Sequence, residues 1–322
     1  MLEINKKNAL YLAHMGSRGA FGQAVYDWLQ SGEEFYAVSA DYSVPSGLSR
    51  IVAESPDRYI DTGISEQNMI GVAAGLSDES TPVIATSWGI FASYRCTDQI
   101  RVFMGMMKSN IKLIGLTSGI SEPRLGGSHF CIGDIALLRA IPNLTVIAPS
   151  DGIEIYSAVI ASLREKTPFY IRLTGRDRLP IINSWDDYSF EIGKAIWLKN
   201  GSDVLFISCG TIIEQCLKAS DDLEKKGVSC SILNLHTIKP IDSNAVLEGR
   251  NYRIVVTVEE HSIIGGLGSA VSELYTENGV NIPVLRLGIG DFVPRAGKYE
   301  YLLKQCGIDS DSIVNSVLKH MR

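Results

Sequence analysis

The residues that could do chemistry gather in three stretches. The first is Asp61-Thr62-Gly63-Ile64-Ser65-Glu66-Gln67-Asn68-Met69-Ile70-Gly71-Val72-Ala73-Ala74-Gly75-Leu76. It reads as a turn, a helix start with Ser65 in the N-cap place, and a helix of small apolar residues. With no polar face, such a helix is expected to be buried. Its one carboxylate, Glu66, stands in the first turn, where the helix dipole alone would favour an acid. The alternative is a desolvated acid at the mouth of a buried helix, facing a ligand. The second stretch is Gly126-Gly127-Ser128-His129. Its glycines let backbone approach a ligand closely, and its histidine suits proton traffic near neutral pH. The third is Trp88, Phe91 and Tyr94, three residues apart. They form either a core stripe on a helix or an aromatic wall for a flat ring, with Tyr94 adding a hydroxyl. Spacing alone leaves both open.

A fourth motif, Ile264-Gly265-Gly266-Leu267-Gly268-Ser269-Ala270, follows a strand and opens a helix, as a dinucleotide fingerprint would. Glu259-Glu260-His261 precede the glycines, and no ribose-binding acid stands about 20 residues later at a strand end. Close backbone packing is therefore the preferred reading over NAD binding. Asp41, Asp61, Asp98 and Asp134 are dispersed single acids, so no metal site is expected. Six cysteines, at 96, 131, 209, 216, 230 and 306, show no Cys-x-x-Cys spacing, which argues against a zinc site or a redox dithiol. Cys209 and Cys230 lie in apolar runs and are expected in the core.

The elements that must position these residues alternate along the chain. Helices are expected over 15–31, 91–107, 135–140, 152–164, 212–226 and 267–278. Strands are expected over 35–39, 83–86, 112–116, 145–148, 169–172, 204–208, 229–233, 253–258 and 282–285. The strands are continuous apolar runs, as in parallel sheets covered on both faces. The loop Asp41-Tyr42-Ser43 follows the first of them. A turn-rich, charged break runs through Thr174-Gly175-Arg176-Asp177-Arg178-Leu179-Pro180 and Asn183-Ser184-Trp185-Asp186-Asp187. The expected organisation is α/β, with two doubly wound domains at 1–185 and 186–322. With 322 residues, 45% of them hydrophobic, there is chain enough for two such cores. A net charge of −6 without a basic block argues against nucleic acid as a partner. No run reaches the roughly 18 apolar residues of a membrane span. The first residues lack the apolar core of a signal peptide. A cytoplasmic, reducing setting is expected.

Taken together these stretches resemble the C-terminal half of the transketolase family, over nearly the whole chain. The resemblance rests on Gly63-Ile64-Ser65-Glu66-Gln67-Asn68-Met69, on Trp88-Gly89-Ile90-Phe91-Ala92-Ser93-Tyr94, and on His129 followed by Leu138-Arg139-Ala140-Ile141-Pro142-Asn143. Pro149-Ser150-Asp151 and the late Glu259-Glu260-His261 with its glycine run also fit. The Leu-Arg-Ala-Ile-Pro-Asn run is shared by transketolases and deoxyxylulose-phosphate synthases. Pyruvate-dehydrogenase β subunits share the architecture without it.

The resemblance implies a pyrimidine-binding domain followed by a smaller transketolase C-terminal domain, and a thiamine diphosphate enzyme. It gives Glu66 the hydrogen bond to the cofactor's pyrimidine, with a raised pKa expected from burial. Phe91 becomes the ring that stacks on the pyrimidine, Tyr94, Trp88 and Ile64 become its neighbours, and His129 contacts substrate oxygens. Arg18, Ser39 and Arg176 are implied to grip a terminal phosphate, a task suited to arginine. Two departures stand out: the family's acids four residues either side of the histidine are here Leu125 and Gly133. A third is the absence of the Gly-Asp-Gly motif, with its following Asn, through which the family's other half binds diphosphate and Mg²⁺. The implied protein is the C-terminal subunit of a split enzyme. An N-terminal partner subunit would supply the Mg²⁺ ligands, the expected assembly is α2β2, and a two-carbon ketol unit would pass between sugar or sugar-phosphate substrates. The alternatives are a thiamine diphosphate-dependent 2-oxo acid decarboxylase or synthase component, and a non-catalytic assembly partner.

Overall fold

A computed structural model describes residues 1–42, 46–78, 80–186 and 188–321. Ser43 and Asp187, named above in loops, lie outside the described residues. Twelve strands are described: β1 Tyr36–Ser39, β2 Tyr59–Asp61, β3 Val83–Trp88, β4 Ile111–Ser118, β5 Thr145–Ile147, β6 Phe169–Thr174, β7 Ile196–Lys199, β8 Val204–Ser208, β9 Cys230–Asn234, β10 Thr237–Lys239, β11 Ile254–Ser262 and β12 Val284–Ile289. They form a seven-stranded sheet of order β10-β5-β6-β4-β3-β1-β2 and a five-stranded sheet of order β12-β11-β8-β9-β7. Within the first sheet β1 to β6 pair in parallel, and in the second β9, β8, β11 and β12 do. The edge strands β10 and β7 are antiparallel. β10 comes from the second half of the chain yet completes the first sheet.

Both faces of each sheet are covered, and strand alternation shows it. In β3, Ile84 joins the core under the helices Lys6–Gln30 and Gly152–Arg164, while Val83 and Ala85 join the opposite core under Glu66–Leu76. That second core continues between the sheets, through Leu205, Leu233 and Val255 to Val271 and Tyr275 of the helix Leu267–Glu277. A third core lies on the outer face of the second sheet, against the helices Ile213–Glu224 and Ser310–His320.

Three local expectations are corrected. The first helix begins at Lys6, not 15, capped by Asn5, whose side chain accepts from the Asn8 N–H at 3.0 Å. It breaks at Gly16, at φ 71°. A Cβ there would stand 2.6 Å from the Asp177 carbonyl oxygen and 3.0 Å from that of Arg176, so only glycine lets that loop press against the helix. The helix Glu66–Leu76 is not buried all round: Glu66, Met69, Ile70 and Ala73 are buried, while Gly71, Val72 and Ala74 are half-buried and Gly75 is exposed. Ser65 stands at its N-cap without a side-chain capping bond. The stretch after β3 is not a plain α-helix. It passes through π-helical turns at Phe91–Arg95 and Ile100–Met106, a widened geometry that often marks functional sites.

Candidate active site

The parallel strands all end at one edge of the first sheet, where such sheets place their ligands. Ser39 and Trp88 close β1 and β3, and Glu66 opens the helix after β2. Phe91 and Tyr94 lie in the turn after β3, His129 in the loop after β4, and Arg176 after β6.

Glu66 is 4% exposed. Its one hydrogen-bond partner among the described residues is Arg95, whose Nη1 donates to Oε2 at 2.7 Å. The Arg95 guanidinium also lies over the Phe91 ring, 4.2 Å from its centroid. His129 presents itself edge-on to both aromatics, with ring centroids 5.1 Å from Trp88 and 5.4 Å from Phe91. Ser128 Oγ lies 3.0 Å from His129 Nδ1, and Nε2 has no hydrogen-bond partner among the described residues. Tyr42 backs Trp88 from 5.6 Å. The structure thus brings Glu66, Phe91, Trp88 and His129 together as a carboxylate beside an aromatic and imidazole wall. A flat ring with a hydrogen-bonding edge fits that wall: Arg95, itself planar and edge-donating, meets both the carboxylate and the Phe91 face.

Tyr94 points elsewhere. Its hydroxyl fills the space beside Gly133, where any Cβ would overlap it. It lines an apolar depression with Ile132, Leu137, Ile264, Phe292 and Val293. Burial raises its phenol pKa. At Gly133, one of the two departures, the Tyr94 hydroxyl lies in the space into which a side chain would project. Leu125, the other, is 47% exposed on the loop before His129, and Ile64 is 78% exposed.

Arg18 and Arg176 line a polar depression of about 450 Å³ with Arg124, Arg178 and Tyr299. The Gly16 break seats them side by side, since the Ser17 N–H donates to the Arg176 carbonyl. Arg176 donates to Glu214 at 2.8 Å and lies over the Tyr299 ring. Ser39 does not join them. It is fully buried, its hydroxyl engaged by Tyr59 and Asp61.

The glycine motif turns inward. Glu259 is buried and accepts from the Leu267 and Gly268 N–H groups at 2.7 and 2.9 Å. A Cβ at Gly266 would overlap its Oε2. The chain's own carboxylate thus fills the anion site of this helix N-terminus, which removes the room for a dinucleotide phosphate. Burial pushes Glu259 up to about 7 and His261 down to about 4. Asp134, read as an isolated acid, is fully buried and paired with Arg172 at 2.8 Å. Among the described residues no group of three or more His, Cys, Asp or Glu could hold a metal ion. No described helix is long and apolar enough to cross a membrane.

Residues 13–178 match the family described as transketolase, pyrimidine binding domain, and residues 193–313 match transketolase, C-terminal domain. The chain belongs to the transketolase family. It is 37% identical over 309 residues to a putative transketolase C-terminal section of Methanocaldococcus jannaschii, covering 96% of this chain and 97% of that one. It is 34% identical over 300 residues to a 6-deoxy-6-sulfo-D-fructose transketolase subunit of a Clostridium species, covering 93% and 92%. Among solved structures it is similar to a split-gene transketolase described as an inactive β4 tetramer, with TM-score 0.85, 34% identity, and 95% and 98% of the two chains covered. As a member of this transketolase family it carries the expectation of thiamine diphosphate.

Sequence reasoning missed Arg95, Tyr42, Arg124 and Arg178. Arg95 had a signal: it lies four residues after Phe91 on one helical stretch, where neighbouring side chains meet. Arg178 had one too, in the run Arg176-Asp177-Arg178.

Proposed function

We propose that this chain is the C-terminal subunit of a split transketolase that moves a two-carbon ketol unit between sugar substrates bearing a terminal anion. The observation that carries the reading is Glu66, a buried carboxylate linked through Arg95 to the Phe91 ring, which His129 meets edge-on. Bound thiamine diphosphate supplies a carbon nucleophile and electron sink for breaking the bond beside a ketone. Glu66 Oε2 is the atom that shares a proton with a pyrimidine nitrogen. Phe91 and Trp88 orient the ring, and His129 Nε2 meets substrate oxygens. Arg18 and Arg176 hold the terminal anion, a guanidinium matching the geometry of phosphate or sulfonate. The kinship to a sulfosugar transketolase subunit supports an anion at that end. The diphosphate and Mg²⁺ ligands come from an N-terminal partner subunit, in keeping with the subunit and split-gene relatives. Alone, the chain self-associates and is inactive.

The test is ketol transfer by the chain mixed with its N-terminal partner, with wild type and Glu66→Gln side by side. The proposal expects turnover only in the mixture, and a loss of about 100-fold or more in Glu66→Gln at unchanged circular dichroism. Near-normal turnover by the variant would sink the mechanism.

A further inference from the structure

Arg95 makes two contacts at once. Nη1 donates to buried Glu66 at 2.7 Å, and the guanidinium plane lies 4.2 Å from the Phe91 centroid. A hydrogen bond to that carboxylate and a stack on that ring are the two contacts the proposed function gives the cofactor's pyrimidine. We infer that Arg95 is a place-holder: its guanidinium holds the pyrimidine's place on Glu66 and Phe91 and leaves when the ring binds. This rests on the reading of Glu66 and Phe91 as the ring site.

The physical need is clear. A buried carboxylate without a partner is strongly destabilising, so Glu66 requires a counter-charge whenever no ring faces it. A guanidinium supplies it with a flat shape that also covers the aromatic face. The route out is open as well. The Arg95 side chain is 46% exposed, whereas its backbone is tied down, its carbonyl accepting from Gln67 Nε2 at 3.0 Å. Ring binding therefore needs only a side-chain rotation. Because the competent state is only the fraction with Arg95 swung away, the apparent affinity for the ring falls by that fraction.

The experiment is calorimetric titration of the full chain with thiamine, which carries the ring but no diphosphate and so needs neither Mg²⁺ nor a partner. Arg95→Ala is expected to bind thiamine about tenfold tighter than wild type, and Glu66→Gln more weakly than either. Should Arg95→Ala fail to fold, Arg95→Lys takes its place; it keeps the charge without the planar stack and is also expected to bind more tightly than wild type. Equal or weaker binding by the folded Arg95 variant, with wild type binding measurably, overturns the place-holder and spares the ring site. No binding by any of the proteins overturns both.

Discussion

Arg172→Met should unfold the molecule more readily than any surface change near the site. Arg172 Nε reaches the Asp134 carboxylate at 2.8 and 3.1 Å, and Nη2 donates to the Cys131 and Glu260 carbonyls, each at 3.0 Å. Tyr170 donates a further bond to Asp134 at 2.7 Å. Asp134 is fully buried and Arg172 nearly so. Methionine keeps the length of the stem and removes the charge and every one of the guanidinium donors. What remains is a buried carboxylate with no counter-charge, held only by the Tyr170 hydroxyl, a Glu260 carbonyl without its arginine donor, and a Cys131 carbonyl left with the Gly119 N–H alone. Breaking a buried pair from one side costs about 3–5 kcal/mol, against a typical total of about 5–15 kcal/mol. Urea unfolding followed by circular dichroism measures it. The double variant Asp134→Leu/Arg172→Met should be less destabilised than the sum of the singles by about 2 kcal/mol or more, because it strands no charge. A single variant within about 1 kcal/mol of wild type, or strict additivity in the pair, refutes the reasoning. The network matters to the site because the Cys131 carbonyl it holds lies two residues beyond His129.

Two further outcomes follow from buried groups. Burial lowers His236 to about 4, in a setting with the Phe190 ring 4.5 Å away, Thr237 on Nδ1 and Asp242 nearby. The unfolded chain takes up this proton near 6.5 and the folded chain only near 4, so its stabilising contribution is complete above 6.5 and is lost as pH falls to 4. The stability difference between wild type and His236→Asn should therefore shrink by about 3 kcal/mol from pH 7 to pH 4, and a pH-independent difference counts against it. Gly266→Ala drives a methyl into the Glu259 carboxylate and toward His261 Nδ1, at 2.6 Å. It should cost about 1–3 kcal/mol in urea unfolding, and a neutral substitution would show that the loop has room to spare.

Much of the fold was legible because its strands are long and apolar. β8 occupies the expected residues, and β4, β6 and β11 extend the expected ones by a few positions. The strands not foreseen, β2, β7 and β10, have three or four residues each and lie at sheet edges, too short for periodicity to declare. β10 adds a reason of its own, since its pairing with β5 is a long-range contact no local pattern encodes. The carboxylate, the aromatic wall and the loop histidine were legible as residue types. Their partners were not. Arg95 on Glu66, Tyr94 beside Gly133 and Arg172 on Asp134 join residues that only the folded chain makes neighbours.

The carboxylates of Glu66 and Glu259 are both buried and both lie at a helix start, and their surroundings separate the acid proposed to do chemistry from a structural one. Glu259 is held by two backbone N–H groups and walled by a glycine that leaves no space beyond its own oxygens. Its partners are main chain in a packed core, so it cannot trade them for a ligand without unfolding the start of Leu267–Glu277. Glu66 is as deeply buried, yet its partner is the tip of a half-exposed arginine. That partner can leave by rotating about side-chain bonds, on the nanosecond scale of exposed side chains. Burial alone therefore does not mark an acid for chemistry. The role proposed for Glu66 rests on burial together with a partner that can be exchanged, and of these two acids only Glu66 has both.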